Sequence, residues 1–249
     1  MHIGILKAGS IPDALKSHHF DYWEMWFRVI KHYCPSYKIS VFDLINNQFP
    51  RHISDCDAYI CASSPSSTYS NEQWIIGLME FVRACHAERK KLVGVCFGHQ
   101  AIAVALGGEC ERSLSGWGVG IKRSYLIAQK EWMDPRAIAF DLIYSHQDQI
   151  TRLPDVAESL GYSAHCAFTM YSIGNHILGL QGHPEWSIPY AIDLLHLRTN
   201  IIGESVINIG LQTLNNMLPD SEIVLNWLIK FILEPTGTSK NRFLDGNLS

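Results

Sequence analysis

Short apolar runs alternate with longer amphipathic segments along the first part of the chain, and this alternation restricts the fold more than any other feature. The runs of strand length cover 3–6, 39–42, 58–62 and 92–96, and the amphipathic segments cover 22–33, 74–85 and 100–106. Strands and helices that alternate in this way form a parallel sheet with helices on both faces. We therefore predict an α/β fold with an open, twisted and mostly parallel sheet.

The pattern changes near residue 119 to shorter pieces that are rich in strand-forming residues. These pieces cover 119–127, 158–163, 167–173 and 176–180. Gly174 and Asn175 separate the last two and indicate a tight turn. We expect the pieces to form a small antiparallel annex together with the final strands of the sheet.

The remaining part of the chain is predicted to be helical. Helices are expected over 188–202 and 222–233, the second with the Asp220-Ser221 pair as its N-cap. No repeat or flexible linker divides the chain. We therefore predict one domain over 1–234, followed by a polar tail over 235–249.

Composition and charge argue against several classes of function. Lys and Arg number 20 against 24 Asp and Glu, a net charge of −4, which disfavours nucleic acid and anionic membranes as partners. No apolar run approaches the roughly 20 residues of a membrane span, and the N-terminus resembles a strand rather than an export signal.

The seven cysteines form no C-x-x-C pair, which argues against a disulfide framework and a zinc site. The His18-His19 pair lacks further metal ligands nearby in the sequence. We predict a cytoplasmic protein without metal or cofactor, and the sequence indicates no oligomeric state.

The segment from Gly94 to Gly98 has the form of a nucleophile elbow. An apolar strand runs into Gly-x-Cys-x-Gly, with Cys96 in the middle, and a helical segment follows. The two glycines allow a sharp turn that exposes the central side chain above the sheet. The N-terminus of the following helix would favour the thiolate of Cys96. The alternative interpretation is a buried structural cysteine in a turn.

A second motif, Gln181 to Glu185, directly follows the apolar run that ends at residue 180. A cysteine nucleophile needs a base within hydrogen-bond reach and a group that orients this base. His183 is the candidate base, and Glu185 is the candidate orienting carboxylate. An isolated His-x-Glu is more often part of a surface loop, but its combination with the elbow favours a Cys-His-Glu triad.

Together the two motifs resemble the class I glutamine amidotransferase domain, whose signature joins such an elbow to a downstream His-Pro-Glu. Further segments are similar to the family's pattern and follow in the same order. They are Ser63 to Ser67, Gly107-Gly108, Gly116 to Gly120 and Ser145 to Ile150. The resemblance covers residues 3–227 and implies a flavodoxin-like fold. Within the family, the chain is similar to stand-alone members related to the glutaminase domain of GMP synthetase and to plant γ-glutamyl peptidases.

The resemblance implies a reaction and a role for each matched residue. Cys96 would attack the amide carbon of glutamine or another γ-glutamyl compound and form a thioester that water hydrolyses. His183 would transfer the protons, and Glu185 would orient it. The backbone N–H groups of Phe97 and Ser64 would form the oxyanion hole. The amino-acid head of the substrate would be bound by Gln100, Ser145, Gln147 and Asp148.

One segment departs from the family's pattern. Many relatives have Gly-Gly-Pro or Gly-Ser-Pro in the oxyanion loop, whereas this chain has Ser63-Ser64-Pro65. A positive φ is less comfortable for serine than for glycine. The sequence therefore leaves open whether the oxyanion hole is formed before substrate binds.

Three kinds of function remain open. The chain is a self-sufficient hydrolase of small γ-glutamyl substrates, a glutaminase subunit that sends ammonia to a synthetase on a separate chain, or a catalytically silent binding module. We favour the hydrolase because all three triad residues are present. The sequence also contains no G-x-x-x-x-G-K-[ST] phosphate loop and offers no room for an ATP-using synthetase after the His-Pro-Glu motif.

Overall fold

The computed structural model describes residues 1–235, which form an alternation of strands and helices. The strands are β1 (His2–Lys7), β2 (Lys38–Asp43), β3 (Ala58–Cys61), β4 (Lys91–Val95), β5 (Glu109–Arg112), β6 (Gly118–Leu126), β7 (Ala139–His146), β8 (Asp148–Arg152), β9 (Glu158–Tyr162), β10 (Met170–Ile173) and β11 (Ile177–Leu180). The α-helices are α1 (Tyr22–Tyr33), α2 (Gln73–Ala87), α3 (Phe97–Ala105), α4 (Ile188–Leu197), α5 (Thr199–Ile202), α6 (Glu204–Asn216) and α7 (Ser221–Leu233). Short 3-10 helices cover Asp13–Leu15, Leu44–Asn46 and Ile53–Asp55.

Nine strands form one sheet in the order β2-β1-β3-β4-β11-β10-β9-β6-β7. Neighbouring strands are parallel from β2 to β11 and antiparallel from β11 to β7. A separate two-stranded antiparallel sheet consists of β5 and β8. The predicted α/β fold, with a mostly parallel sheet and a small antiparallel annex, is confirmed, but the annex consists of β5 and β8, and the pieces predicted for it lie in the main sheet as β6, β9, β10 and β11.

Apolar cores cover both faces of the sheet, because successive side chains of a buried strand point to opposite faces. On β4, Val93 and Val95 join the core that includes residues of α1, α4, α6 and α7. Leu92, which directly precedes Val93, points to the other face and joins the second core with residues of α2 and α3. The continuous apolar character of β4, which is buried along its whole length, follows from this double burial.

Several local predictions differ from the structure. The sequence pattern does not indicate β5, β7, β8 or α6. The helix predicted over 188–202 is interrupted at Arg198, which separates α4 from α5. Asp220 precedes α7 as predicted, but its carboxylate does not cap the helix, because it accepts a hydrogen bond of 2.8 Å from the backbone N–H of Asp141.

Three adjacent parallel strands, β3, β4 and β11, end at the same edge of the sheet. Ser63 follows β3, Cys96 follows β4, and His183 follows β11. In open α/β sheets, ligands bind outside the carboxyl ends of the strands. The predicted site residues therefore meet at the edge where a ligand is expected.

Two further predictions concern the C-terminal tail and membrane-spanning helices. Apart from Pro235, the tail predicted over 235–249 lies outside the described residues, and the single domain over 1–234 stays a prediction. None of the helices formed by residues 1–235 has both the length and the apolar character needed to cross a membrane.

Candidate active site

Cys96 lies in a sharp turn between β4 and α3. Its backbone has φ 52° and ψ −102°, a conformation that residues other than glycine rarely adopt. A Cβ atom at Gly94 would lie 2.5 Å from the carbonyl group of Gly98, and a Cβ at Gly98 would lie 2.5 Å from the carbonyl oxygen of Cys61. Both flanking glycines are therefore required by close packing. The turn places Cys96 at the N-cap of α3.

His183 and Glu185 form a buried hydrogen-bonded pair. The imidazole Nδ1 lies 2.9 Å from Oε1 of Glu185, and the two side chains are 1% and 0% exposed. The backbone N–H of His183 donates to the carbonyl oxygen of Ile143 on β7, at 2.8 Å, which positions the loop after β11. Ser63 Oγ is a second, longer neighbour of Nδ1, at 3.4 Å. Within residues 1–235, no protein atom forms a geometrically acceptable hydrogen bond with Nε2.

The charge state of His183 depends on this pairing. Burial alone lowers the pKa of the imidazole, but the electrostatic and hydrogen-bond interactions with Glu185 and Cys96 outweigh burial and raise the pKa to about 9. The imidazolium form is therefore favoured at neutral pH. With Nδ1 engaged by Glu185, the proton available for transfer is on Nε2.

Aromatic side chains hold the imidazole ring from one side. The Trp186 ring stacks on His183 with 3.5 Å between ring centroids and an angle of 12° between the planes. Tyr22 stacks on Trp186 at 5.9 Å, and Tyr190 contacts Trp186 edge-on at 4.9 Å. Local sequence patterns do not predict the contacts of Tyr22 and Tyr190 with Trp186, because these contacts depend on how α1 and α4 come together.

A cavity of about 300 Å³ opens at the elbow. Cys96, His183, Phe97 and Ser64 all line it, so the predicted oxyanion-hole residues lie at the same cavity as the predicted nucleophile. Phe97 is the first residue of α3, and N–H groups in the first turn of a helix have no partner within the helix. Ser63 and Ser64 both have negative φ angles. The oxyanion loop therefore avoids the positive φ that would be uncomfortable for serine.

The four residues predicted to bind the substrate head also line the cavity, and the side chains of Gln100, Ser145 and Asp148 contact other protein groups. Nε2 of Gln100 donates to the backbone oxygen of Asp148 at 2.8 Å. The carboxylate of Asp148 accepts hydrogen bonds from Ser67 Oγ at 2.5 Å and from the Tyr69 hydroxyl at 3.0 Å. Asp148 therefore ties the loop after β3 to the start of β8. The other two residues of the set are Ser145 and Gln147.

Two arginines in the cavity wall were missed by sequence analysis. Arg198 follows the last residue of α4 and donates to Ser145 Oγ at 3.1 Å, and Arg112 is the last residue of β5. A basic residue in or after the last turn of a helix is common because it complements the helix dipole. Nothing in the local sequence therefore distinguishes Arg198 from an ordinary surface arginine.

The fold and the cavity define an α/β protein with an elbow cysteine at the carboxyl edge of its sheet. A family model described as glutamine amidotransferase class-I matches residues 21–191. The chain is 28% identical to γ-glutamyl peptidase 3 of Arabidopsis thaliana over 192 residues, which cover 72% of this chain and 76% of that protein. It is 30% identical to the glutamine-hydrolysing GMP synthase of Dehalococcoides mccartyi over 128 residues, which cover 51% of this chain and 23% of that protein.

The fold is also similar to a solved structure. The crystal structure of a glutamine amidotransferase from Thermotoga maritima matches with a TM-score of 0.73 at 14% sequence identity, over 94% of this chain and 97% of that chain. Because the family model spans more than half of the sequence, the chain belongs to the class I glutamine amidotransferase family. The resemblance found in the two motifs is confirmed.

Proposed function

We propose that this protein hydrolyses the γ-glutamyl amide bond of glutamine or of another small γ-glutamyl compound, with Cys96, His183 and Glu185 as a catalytic triad. The observation that carries the proposal is the 2.9 Å contact between His183 and Glu185 beside a cavity lined by Cys96 and His183. The similarity to a γ-glutamyl peptidase supports the choice of the scissile bond.

In the first half of the reaction, Sγ of Cys96 attacks the amide carbon of the γ-glutamyl group. The carbonyl oxygen becomes an oxyanion, and the backbone N–H groups of Phe97 and Ser64 donate to it. Nε2 of His183 gives its proton to the departing nitrogen, the C–N bond breaks, and an amine leaves. The products of this half are a γ-glutamyl thioester on Cys96 and a neutral imidazole.

In the second half, the neutral imidazole accepts a proton from a water molecule whose oxygen attacks the thioester carbon. The same two N–H groups stabilise the second oxyanion. The C–S bond then breaks, the thiolate of Cys96 is restored beside the imidazolium of His183, and glutamate leaves. Glu185 stays ionised throughout and keeps the imidazole in one orientation.

Glutamate release from glutamine and from γ-glutamyl dipeptides tests the proposal with purified protein. Cys96→Ala should abolish release, because the nucleophile is removed. Cys34→Ala is the matched control, since both cysteines are 7% exposed and Cys34 lies at the end of α1, away from the cavity. Equal activity of wild type and Cys96→Ala would refute the triad, and inactivity of the wild type on every substrate would refute self-sufficient hydrolysis.

A second candidate function rests on the similarity to the glutamine-hydrolysing GMP synthase. In this case the chain supplies ammonia to a synthetase on a separate chain. Purified protein would then release little glutamate from glutamine until cell extract is added, and Cys96→Ala would abolish the stimulated release. If neither condition gives Cys96-dependent release, the chain is a binding module.

A further inference from the structure

Two arginines, Arg112 and Arg198, line the cavity at Cys96, and neither pairs with a carboxylate among the described residues. Among residues 1–235, the ion pairs of arginine join Arg123 to Asp141 and Arg152 to Glu109, and neither Arg198 nor Arg112 takes part in one. Arginine at a cavity wall is suited to bind a carboxylate through two parallel hydrogen bonds. The cavity therefore offers two places for a carboxylate on a ligand.

The two arginines have different neighbours at the cavity. Arg112 is opposite Asp148 in the register of β5 and β8, at the end that also contains Gln100. Arg198 lies beside Trp117, with its guanidinium carbon 5.9 Å from the ring centroid, and its charge acts on the hydroxyl groups of Tyr22 and Tyr190.

Tyr22 and Tyr190 both contact Trp186, which stacks on His183. Arg198 is therefore within electrostatic reach of the aromatic residues around the imidazole, and its hydrogen bond to Ser145 also joins it to the set predicted to bind the substrate head. In the proposed function His183 lies next to the departing nitrogen, because it protonates that nitrogen, so the leaving group occupies the imidazole side.

We propose that Arg198 binds a carboxylate of the leaving group, so that the preferred substrates are γ-glutamyl amino acids or peptides with a free C-terminal carboxylate rather than glutamine. This inference rests on the proposed function. Glutamine releases only ammonia, which offers nothing for Arg198 to bind. A γ-glutamyl dipeptide carries two carboxylates, one on the glutamyl group and one on the leaving residue, and the cavity has two arginines without a carboxylate partner among residues 1–235.

The surroundings of Arg198 are consistent with a binding role. Its side chain is partly exposed, and the Ser145 contact occupies one nitrogen, which leaves other N–H donors of the fork available. The contacts to Ser145 and Trp117 restrict the guanidinium to one region of the wall, so less side-chain freedom is lost when a carboxylate binds.

The test compares three substrates: γ-glutamylglycine, its C-terminal amide, and glutamine. Hydrogen bonds to charged groups contribute enough to predict a loss of about 10-fold to about 100-fold in kcat/KM for Arg198→Gln on the free acid, mainly through KM. The loss on the amide and on glutamine should be less than about threefold, since neither has the second carboxylate. Arg198→Lys should lose less than Arg198→Gln because it keeps the charge. Arg51→Gln, at an exposed position outside the cavity, is the control and should leave kcat/KM on all three substrates unchanged.

A binding measurement separates this inference from the proposed function. In Cys96→Ala, titration calorimetry should show tighter binding of the free acid than of its amide, and Arg198→Gln in the same background should remove the difference. Turnover without this selectivity would overturn the role of Arg198 and leave the hydrolase intact. Selective binding without turnover in the wild type would overturn the hydrolase and leave the carboxylate site. An equal loss on all three substrates would assign Arg198 to the glutamyl end or to structural support, and would also overturn the inference.

Discussion

Replacing Glu185 with glutamine tests whether the carboxylate charge controls the protonation of His183. The substitution keeps the size of the side chain and an oxygen that accepts from Nδ1, but it removes the negative charge. In the wild type the pKa of His183 is raised from 6.5 to about 9. This rise corresponds to about 3 kcal/mol in favour of the imidazolium. Burial opposes this rise and Cys96 adds to it, so the figure is the net of these effects and not the share of Glu185 alone.

The loss of the charge should lower the pKa of His183 in the variant by about 2 units, since a single opposite charge at hydrogen-bond distance shifts a pKa by roughly 1 to 3 units. At about pH 8 the imidazole would then be about nine-tenths protonated in the wild type and about one-tenth protonated in the variant. In the proposed mechanism, the imidazolium donates the proton to the leaving nitrogen. We therefore expect a loss of about tenfold in kcat/KM at this pH from protonation alone.

The assay is the pH dependence of kcat/KM on one γ-glutamyl substrate, from about pH 5.5 to about pH 10. The pKa of the high-pH limb should be near 9 in the wild type and near 7 in Glu185→Gln. The ratio of wild-type kcat/KM to variant kcat/KM should therefore grow as the pH rises between these values. Glu80→Gln, on the exposed face of α2, is the control and should leave the limb in place. A ratio that is constant across the pH range would show that Glu185 acts through position alone and would refute the reasoning.

Three further predictions follow from the same geometry. Gly98→Ala should lower the free energy of unfolding by about 1 to 3 kcal/mol in urea titrations, because the new methyl group overlaps the carbonyl oxygen of Cys61; unchanged stability would contradict the packing at the elbow. Trp186→Leu should lower the pKa of the high-pH limb of kcat/KM by less than Glu185→Gln does, because an aromatic face stabilises a stacked cation by about 0.5 to 2 kcal/mol. An unchanged pKa of this limb would leave Trp186 only a packing role. The stabilisation from the raised pKa of His183 should be complete below about pH 6.5 and lost as the pH rises through about 9, so urea unfolding should show the stability gap between wild type and Glu185→Gln narrowing over this range.

The parallel half of the fold could be predicted because each of its strands is a short apolar run followed by a turn and a helix. The antiparallel half was harder. β7 is buried along nearly its whole length, so it shows no alternation of polar and apolar residues. It pairs with β6, the preceding strand, but residues 127–138 separate the two strands, so no short turn marks the pair in the sequence. Local patterns do not encode such pairing.

Helix α6 was missed for a different physical reason. Gly210 lies inside it, and an internal glycine argues against a helix when only the sequence is considered. In the structure, a Cβ atom at Gly120 of β6 would lie 2.7 Å from Cα of Gly210. The two glycines therefore allow helix and strand to pack closely, and this benefit depends on a contact between distant parts of the chain.

The same distinction separates the proposed catalytic residues from the residues that surround them. A cysteine can occupy the strained turn at the elbow only if Gly94 and Gly98 flank it, so the backbone requirement leaves a local signature that can be recognised in one sequence. Arg198 and Tyr22 need only a side chain of suitable chemistry at a position that the fold brings to the cavity, and many backbone conformations satisfy this requirement. Such residues leave no signature, which is why the proposed chemistry could be inferred from two motifs while the proposed leaving-group preference required the packing of α1 and α4 around His183.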